Sequence, residues 1–210
     1  MEGIDGAGKS VLVAGLAARL GDAGRSALVT RLSPTMAEVF RAMVDRSTQG
    51  AARYQDVLPG DFRRAAYIVD AVAQFHHLAS VHARYDWLLF DRWLPTYDVY
   101  GSGAGRHDAH YRRLAGTLPR PDVLLHLRVA PSVAQERIRS RGDWTVDHWS
   151  AQRLQADLER LDAAYRREFA GRTDVVTIDG EGSAAGVCAA VLALMGVRSM
   201  AVGAGTGGAA

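Results

Sequence analysis

Eight residues near the start of the chain, Gly3-Ile4-Asp5-Gly6-Ala7-Gly8-Lys9-Ser10, restrict its fold more than any other stretch. They fit the pattern G-x4-G-K-[ST]. Glycines at such spacing let successive backbone N–H groups converge on phosphate oxygens, and a following helix adds its positive end. Val11–Leu20 carries the helical pattern that this arrangement needs. A lysine at position 9 can reach a transferring phosphate, and a serine at position 10 can ligate Mg²⁺. Such a loop normally ends a buried parallel strand. Only Met1 and Glu2 precede Gly3, so the expected sheet lacks its first strand, with a start further upstream as the favoured reading.

The rest of the chain supplies the alternation that a doubly wound sheet requires. Ser26–Arg31, Trp87–Asp91, Val123–Leu127 and Val175–Ile178 are short, nearly continuous apolar runs, the signature of strands covered on both faces. Helical patterns separate them at Lys9–Leu20, Thr35–Asp45, Asp61–Arg84, Ser132–Ser140, Val146–Phe169 and Ser183–Met195. Strands alternating with helices predict an α/β fold, a three-layer, doubly wound parallel sheet, which the phosphate loop makes one of the P-loop type. With 210 residues there is room for one such domain, expected over residues 1–197. Gly101–Gly105 reads as a flexible loop, and the Gly/Ala-rich residues 198–210 read as a flexible tail.

Charge and cysteine content exclude several classes. Twenty-five basic against 23 acidic residues leave +2, which gives no reason to expect a nucleic-acid partner. No apolar run reaches the roughly 18 residues of a membrane span, so no membrane partner is expected. The single cysteine, Cys188, sits in an apolar helical segment and cannot form an intrachain disulfide. A reducing cytoplasm is the natural compartment. His76-His77 and His107…His110 lack a third ligand at metal-binding spacing.

Two further clusters carry chemistry. Asp91-Arg92 follows an apolar strand, and a carboxylate at the carboxyl end of a parallel strand faces the ligand crevice. There Asp91 can hold Mg²⁺ while Arg92 clamps a phosphate with its planar fork. A surface ion pair is the competing reading. Arg137-Ile138-Arg139-Ser140-Arg141-Gly142 ends a helix. It reads either as a solvated cationic terminus or as a lid, at about residues 137–150, whose arginines close over transferring phosphates. Trp144 and Trp149 lie just beyond, as lid contacts or as core.

Taken together, these residues resemble the thymidylate kinases, within the nucleoside monophosphate kinase family. Glu2-Gly3-Ile4-Asp5-Gly6-Ala7-Gly8-Lys9-Ser10 is similar to that family's E-G-I-D-G-A-G-K-S loop. Asp91-Arg92-Trp93 stands where the family has Asp-Arg-Tyr, and Pro121-Asp122-Val123 through Gly142 resembles its strand, helix and R-x-R-x-R-G lid. Val175–Asp179 resembles its last strand. The resemblance implies phosphoryl transfer from ATP, with Mg²⁺, to a (deoxy)nucleoside monophosphate such as dTMP or a modified analogue. It also implies a possible homodimer. By position, Gly3, Asp5, Gly6, Ala7, Gly8, Lys9, Ser10 and Val11 would hold ATP, with Arg137 and Arg141 from the lid. Ser10 and Asp91 would hold the metal. Lys9, Asp5, Arg92, Arg137 and Arg141 would serve the transfer step. Asp5, Arg31, Tyr67, Asp70, Asp91, Arg92, Tyr97 and Tyr100 would face the acceptor.

The acceptor side departs from the family pattern. Leu32-Ser33-Pro34-Thr35 differs from the family's segment after Arg31. Tyr67-Ile68-Val69-Asp70-Ala71 replaces F-A-x-D-R, so Ala71 stands in place of an arginine. Tyr97 takes a position that is small and polar in the family, and Pro95 stiffens the loop. Polar groups aimed at a substrate discriminate strongly, so their loss predicts changed or relaxed specificity. Two other readings stay open: a kinase of a nucleoside or other small-molecule hydroxyl, and a non-catalytic nucleotide-binding homologue.

Overall fold

The computed structural model describes residues 1–101 and 109–196. Beyond Gly101, the expected glycine-rich loop lies outside the described residues, as does the tail at 198–210. The described strands are β1 (Ala27–Thr30), β2 (Trp87–Phe90), β3 (Leu124–Arg128) and β4 (Val175–Asp179). The described helices are α1 (Lys9–Asp22), α2 (Pro34–Thr48), α3 (Tyr54–Val57), α4 (Gly60–His77), α5 (Ala79–His82), α6 (Leu94–Tyr100), α7 (Ala109–Ala115), α8 (Pro131–Arg141), α9 (Trp144–His148), α10 (Ala151–Phe169) and α11 (Ala184–Leu194).

All strand pairing is parallel, as the alternation of strands and helices requires. β1 pairs with β2, with Ala27 opposite Trp87 and Thr30 opposite Phe90. β3 pairs with β4, with Leu124 opposite Val175 and Arg128 opposite Asp179. Met1 and Glu2 join the two halves. The Met1 amine donates to Phe90 O at 2.8 Å, and Met1 O accepts from Arg92 N–H at 2.9 Å. Glu2 N–H donates to Leu125 O at 2.7 Å, and Leu127 N–H donates to Glu2 O at 2.9 Å. The expected shortfall of one strand is therefore met in a specific way: these two residues occupy the central slot at its carboxyl end. Among the described residues no other strand lies between β2 and β3.

Coverage of the four apolar runs is uneven. Leu124–Leu127 are buried, whereas every residue of β2 is only half-buried and Val29 and Val176 are exposed. β1 and β4 form the outer edges, and β2 is paired on one side along most of its length. That arrangement, rather than composition, decides which run becomes core.

The helices group by their apolar faces. Leu12, Val13, Leu16 and Leu20 of α1 recur at helical spacing and are buried, with α1 packed against α11, β1 and β2. Leu154, Leu158, Leu161 and Tyr165 form the buried face of α10, which packs against α8 and α6. Leu12 and Leu16 meet the α10 set in one core with Ile4, Leu125 and Leu127. A second core gathers Leu32, Ile68, Ala71, Trp93, Tyr97, Tyr111 and Leu118.

Two expected helices are divided. Asp61–Arg84 breaks at Leu78, where the turn brings buried His82 back against Phe75 and Phe90, at 5.1 and 6.2 Å between ring centroids. Val146–Phe169 breaks at Trp149-Ser150. Ser150 caps α10, its hydroxyl accepting from Arg153 N–H at 3.1 Å, a local signal that stops one helix and starts the next.

Candidate active site

The carboxyl ends of β1 and β2, the loop before α1, and α2, α4, α6 and α9 enclose one cleft of about 690 Å³. Of the expected site residues, Asp5, Gly6, Gly8, Lys9, Ser10, Val11, Arg31, Tyr67, Asp91, Arg92, Tyr97, Tyr100 and Arg141 line it. Gly3, Ala7, Asp70 and Arg137 do not.

Loop 3–10 takes its shape from glycine. Gly3 and Gly6 have φ of 143° and 80°, in the region that L side chains avoid. A Cβ at Gly3 would collide with Leu127 O, and one at Gly6 with Ala134 O. The loop thus lies directly against β3 and α8, and Gly8 starts α1 with its free N–H groups toward the cleft. Lys9 arches back over this turn. Its Nζ donates to Gly3 O at 3.0 Å and Ile4 O at 2.8 Å. Burial, with the Arg92 charge nearby, lowers the Lys9 pKa to about 7. Phosphate oxygens entering the loop would offer this ammonium charge-bearing partners in place of the two carbonyls.

Ser10 and Asp91 come together from α1 and the end of β2. The Ser10 hydroxyl donates to Asp91 Oδ2 at 2.7 Å. Asp91 is buried, and its other oxygen, Oδ1, has no hydrogen-bond partner among the described residues. A buried carboxylate oxygen without a donor is costly unless a ligand satisfies it. A hydroxyl beside such a carboxylate is a hard-oxygen pair that fits Mg²⁺.

Arg92 stands at the centre. Its φ is 82°, a left-handed conformation for a residue with a side chain. One guanidinium nitrogen, Nη2, donates to the Asp5 carboxylate and to Tyr100 OH at 3.4 Å. The other, Nη1, donates to Gly3 O at 3.3 Å, Thr96 Oγ1 at 3.4 Å and Tyr165 OH at 3.3 Å. The guanidinium also lies over the Tyr100 ring at 4.8 Å. Burial alone would raise the Asp5 pKa, but Arg92 and Lys9 hold that carboxyl below the ordinary carboxylate range.

An aromatic wall lies beyond Arg92. Tyr67 stacks on Tyr97 with centroids 5.3 Å apart, and Phe40 packs against both Tyr54 and Tyr67. Tyr67 and Tyr54 share a hydroxyl hydrogen bond of 3.0 Å. Burial pushes the Tyr67, Tyr97 and Tyr100 phenols above their ordinary range, so all three keep their protons at neutral pH. Ala71 is fully buried within the second core. Asp70 sits behind Ser33, which lines the cleft. It accepts from the Ser33 hydroxyl and from Met36 N–H, both at 2.9 Å, and so fixes the start of α2.

The basic segment divides its work. Arg137 donates to Ala7 O at 3.3 Å and Gly180 O at 3.0 Å, tying the phosphate loop to the turn after β4. Arg141 reaches the cleft and pairs with Asp143 at 2.6 Å. Trp144 and Trp149 both line the cleft, and Trp149 also packs against the first core. Trp144 Nε1–H donates to Gly50 O at 3.2 Å, and Trp149 lies between the guanidinium groups of Arg53 and Arg153, at 4.1 and 4.2 Å. The segment after α8 is thereby docked on the loop before α3.

Several lining residues escape a reading of the sequence. Ala37, Arg41 and Asp45 share one face of α2 at four-residue spacing, a stripe that could have been counted as facing a ligand. Arg41 and Arg31 make no ion pair among the described residues. Arg53, Tyr54 and Arg63 come from a segment with no motif of its own.

This geometry can be set beside known proteins. A profile of the thymidylate kinase family matches residues 1–190. A thymidylate kinase of Xanthomonas campestris pv. campestris (strain B100) is 31% identical over 165 residues, which is 79% of this chain and 68% of that protein. The thymidylate kinase of Xanthomonas oryzae pv. oryzae (strain PXO99A) is 32% identical over 171 residues, or 81% and 69% of the two chains. Among solved structures, deoxyadenosine kinase from M. mycoides superposes with a TM-score of 0.59 over 94% of this chain and 97% of that one, at 14% identity. That last likeness shows the shared fold.

Proposed function

Since the chain belongs to the thymidylate kinase family, we propose that it transfers the terminal phosphoryl group of ATP to the phosphate of a (deoxy)nucleoside monophosphate, dTMP or a modified relative. The observation that carries this reading is the pairing of two phosphate stations across one cleft. Loop 3–10 with Lys9 forms the first, and Arg92 held by Asp5 forms the second. A kinase of a hydroxyl needs no second cation station on the acceptor side; a kinase of a monophosphate does.

The residues divide the transfer between them. Backbone N–H groups of the loop and the start of α1 hold the ATP phosphates and accept no proton in doing so. Lys9 leaves Gly3 O and Ile4 O to meet the moving phosphoryl group, where its charge stabilises the transition state. Arg92 holds the acceptor phosphate in line with it, and Arg31 adds a second positive contact. Ser10 and Asp91 would hold Mg²⁺, which would supply charge neutralisation on the ATP phosphates. Arg141 swings from Asp143 toward the same charge, while Arg137 steadies the loop itself.

The acceptor's base packs against Tyr67 and Tyr97. These phenols, with Tyr54 behind them, present hydroxyl groups where an arginine and a small polar residue would read thymine. The reading therefore includes a shifted base preference within the monophosphates. It also includes one kinase domain over the described residues with the lid at 137–150, a cytoplasmic setting and a homodimer. Among the described residues no helix is long and apolar enough to cross a membrane.

The test is a panel of nucleoside monophosphates and free nucleosides with ATP and Mg²⁺, with products separated by ion-pair chromatography. Diphosphates from at least one monophosphate are expected. Turnover of nucleosides with none of monophosphates would overturn the reading in favour of a hydroxyl kinase. ATP binding with no transfer to any acceptor would make the chain a non-catalytic homologue.

A further inference from the structure

Among the described residues Glu2 is the one acidic side chain with no measurable exposure, and it touches neither the cleft nor any cation directly. Its Oε1 accepts from Trp93 N–H at 2.6 Å. Its Oε2 accepts from the Thr96 hydroxyl at 2.5 Å and the Tyr165 hydroxyl at 3.0 Å. A hydroxyl carries one proton and two lone pairs. The two hydroxyl oxygens also lie 3.0 Å from each other; with both protons directed at Glu2, neither donates to the other and both can only accept. Both then face Nη1 of Arg92, at 3.4 and 3.3 Å.

The same short segment also fixes the backbone beneath that guanidinium. Arg92 N–H donates to Met1 O at 2.9 Å, and the next N–H, of Trp93, donates to Glu2. The left-handed φ of 82° at Arg92 is thus bracketed by two hydrogen bonds to residues 1 and 2. Surroundings must over-determine such a conformation for it to persist.

We propose that Glu2 is a positioning residue for Arg92, orienting the Thr96 and Tyr165 hydroxyls as acceptors and so aiming the guanidinium at the acceptor phosphate. The aim at a phosphate rests on the proposed function; the placement of Arg92 does not. The buried carboxylate acts at one remove: it sets the direction of two hydrogen bonds, and those hold the fork. Tyr165 lies on α10, whose first turns line the cleft through Leu154 and Leu158, so the relay also anchors Arg92 to the helix that follows the lid.

Glu2→Gln tests this. An amide nitrogen facing the hydroxyls only donates, so both protons turn away from residue 2; one can bridge the 3.0 Å between the hydroxyls, and the other is left toward Arg92. The expected kinetic result is an acceptor KM raised about tenfold, the cost of one hydrogen bond to a charged group, with the KM for ATP unchanged. A merely structural role would move both constants together or lower only the active fraction. A crystal structure of the variant is the second readout, with Arg92 expected to leave Gly3 O and the two hydroxyls. If the wild type phosphorylates no monophosphate, the functional reading fails, while the position of Arg92 still decides this proposal. Tyr165→Phe and Thr96→Val, which keep Glu2, are the companions should Glu2→Gln fail to fold, and each should raise the acceptor KM selectively. Arg92 undisplaced in these variants, with an unchanged acceptor KM, would overturn the proposal.

Discussion

The two halves of the cleft are built on different principles. In the proposed reading, the donor half is a run of eight residues whose backbone forms the binding surface, and its shape follows from glycines at fixed spacing. The acceptor half is assembled from side chains on α2, α4 and α6 and on the loops around α3 and α9. Backbone N–H groups are the same in every sequence, so the donor half can change little and still bind phosphate. Side chains from five elements can be exchanged one by one. In the proposed reading, the contrast accounts for a phosphate loop that resembles the family's motif beside a tyrosine-rich acceptor wall.

The strongest way to break this contrast is Lys9→Ala. Removing the loop's charge should lower kcat by about a hundredfold or more, with the acceptor KM little changed. Steady-state kinetics against both substrates would check it, and wild-type turnover would remove Lys9 from the chemistry. Arg92→Ala should show the opposite division, raising the acceptor KM at least about tenfold while leaving ATP affinity intact. A change in ATP affinity of the same size would merge the two halves into one site.

Tyr97→Asn sharpens the contrast on the acceptor side. It unstacks Tyr67 and restores a small polar group, so selectivity among monophosphates should shift by roughly tenfold, as single pocket contacts allow. Ratios of kcat/KM across the panel would measure it, and unchanged ratios would place the base elsewhere. The smallest expected effect is a proton. With a pKa of about 7 in the free protein, Lys9 is largely neutral at pH 8. Bound phosphate favours the charged form, so ATP binding at pH 8 should take up nearly one proton through Lys9. Titration calorimetry in buffers of different ionisation enthalpy would show this, and Lys9→Ala should abolish it.

The sign for stability follows from the same shift. Lys9 is lowered from 10.5 to about 7, so the unfolded chain holds more protons between those values. This group therefore penalises the fold most below pH 7, and the penalty fades as pH rises toward 10.5.

What could be read beforehand follows the same division. The phosphate loop, the four strands and the Asp91-Arg92 corner were legible because contiguous patterns encode them. Asp70 was expected at the acceptor, yet it holds Ser33 and Met36, because a motif gives a residue's place in the chain and not the direction of its carboxylate. Arg137 was expected over the phosphates and instead braces Ala7 O and Gly180 O. Arg53 and Tyr54 went unread because their role depends on how the loop before α3 meets Trp149, a contact nearly a hundred residues away in sequence. The relay from Glu2 to Arg92 was hidden for the same reason, since Tyr165 joins it from the other end of the chain.

The account's central claim is that two phosphate stations face each other across the cleft. A dinucleotide bridged by phosphates measures this directly. Three phosphates of ATP, one of the acceptor and one to span the gap make five, whereas a hydroxyl acceptor calls for four. Adenosine joined to thymidine through five phosphates should bind at least about tenfold more tightly than the four-phosphate analogue, a difference of one well-made ionic contact. Lys9→Ala and Arg92→Ala should each weaken the longer ligand. Equal binding of the two lengths, with no loss in Arg92→Ala, would contradict the account.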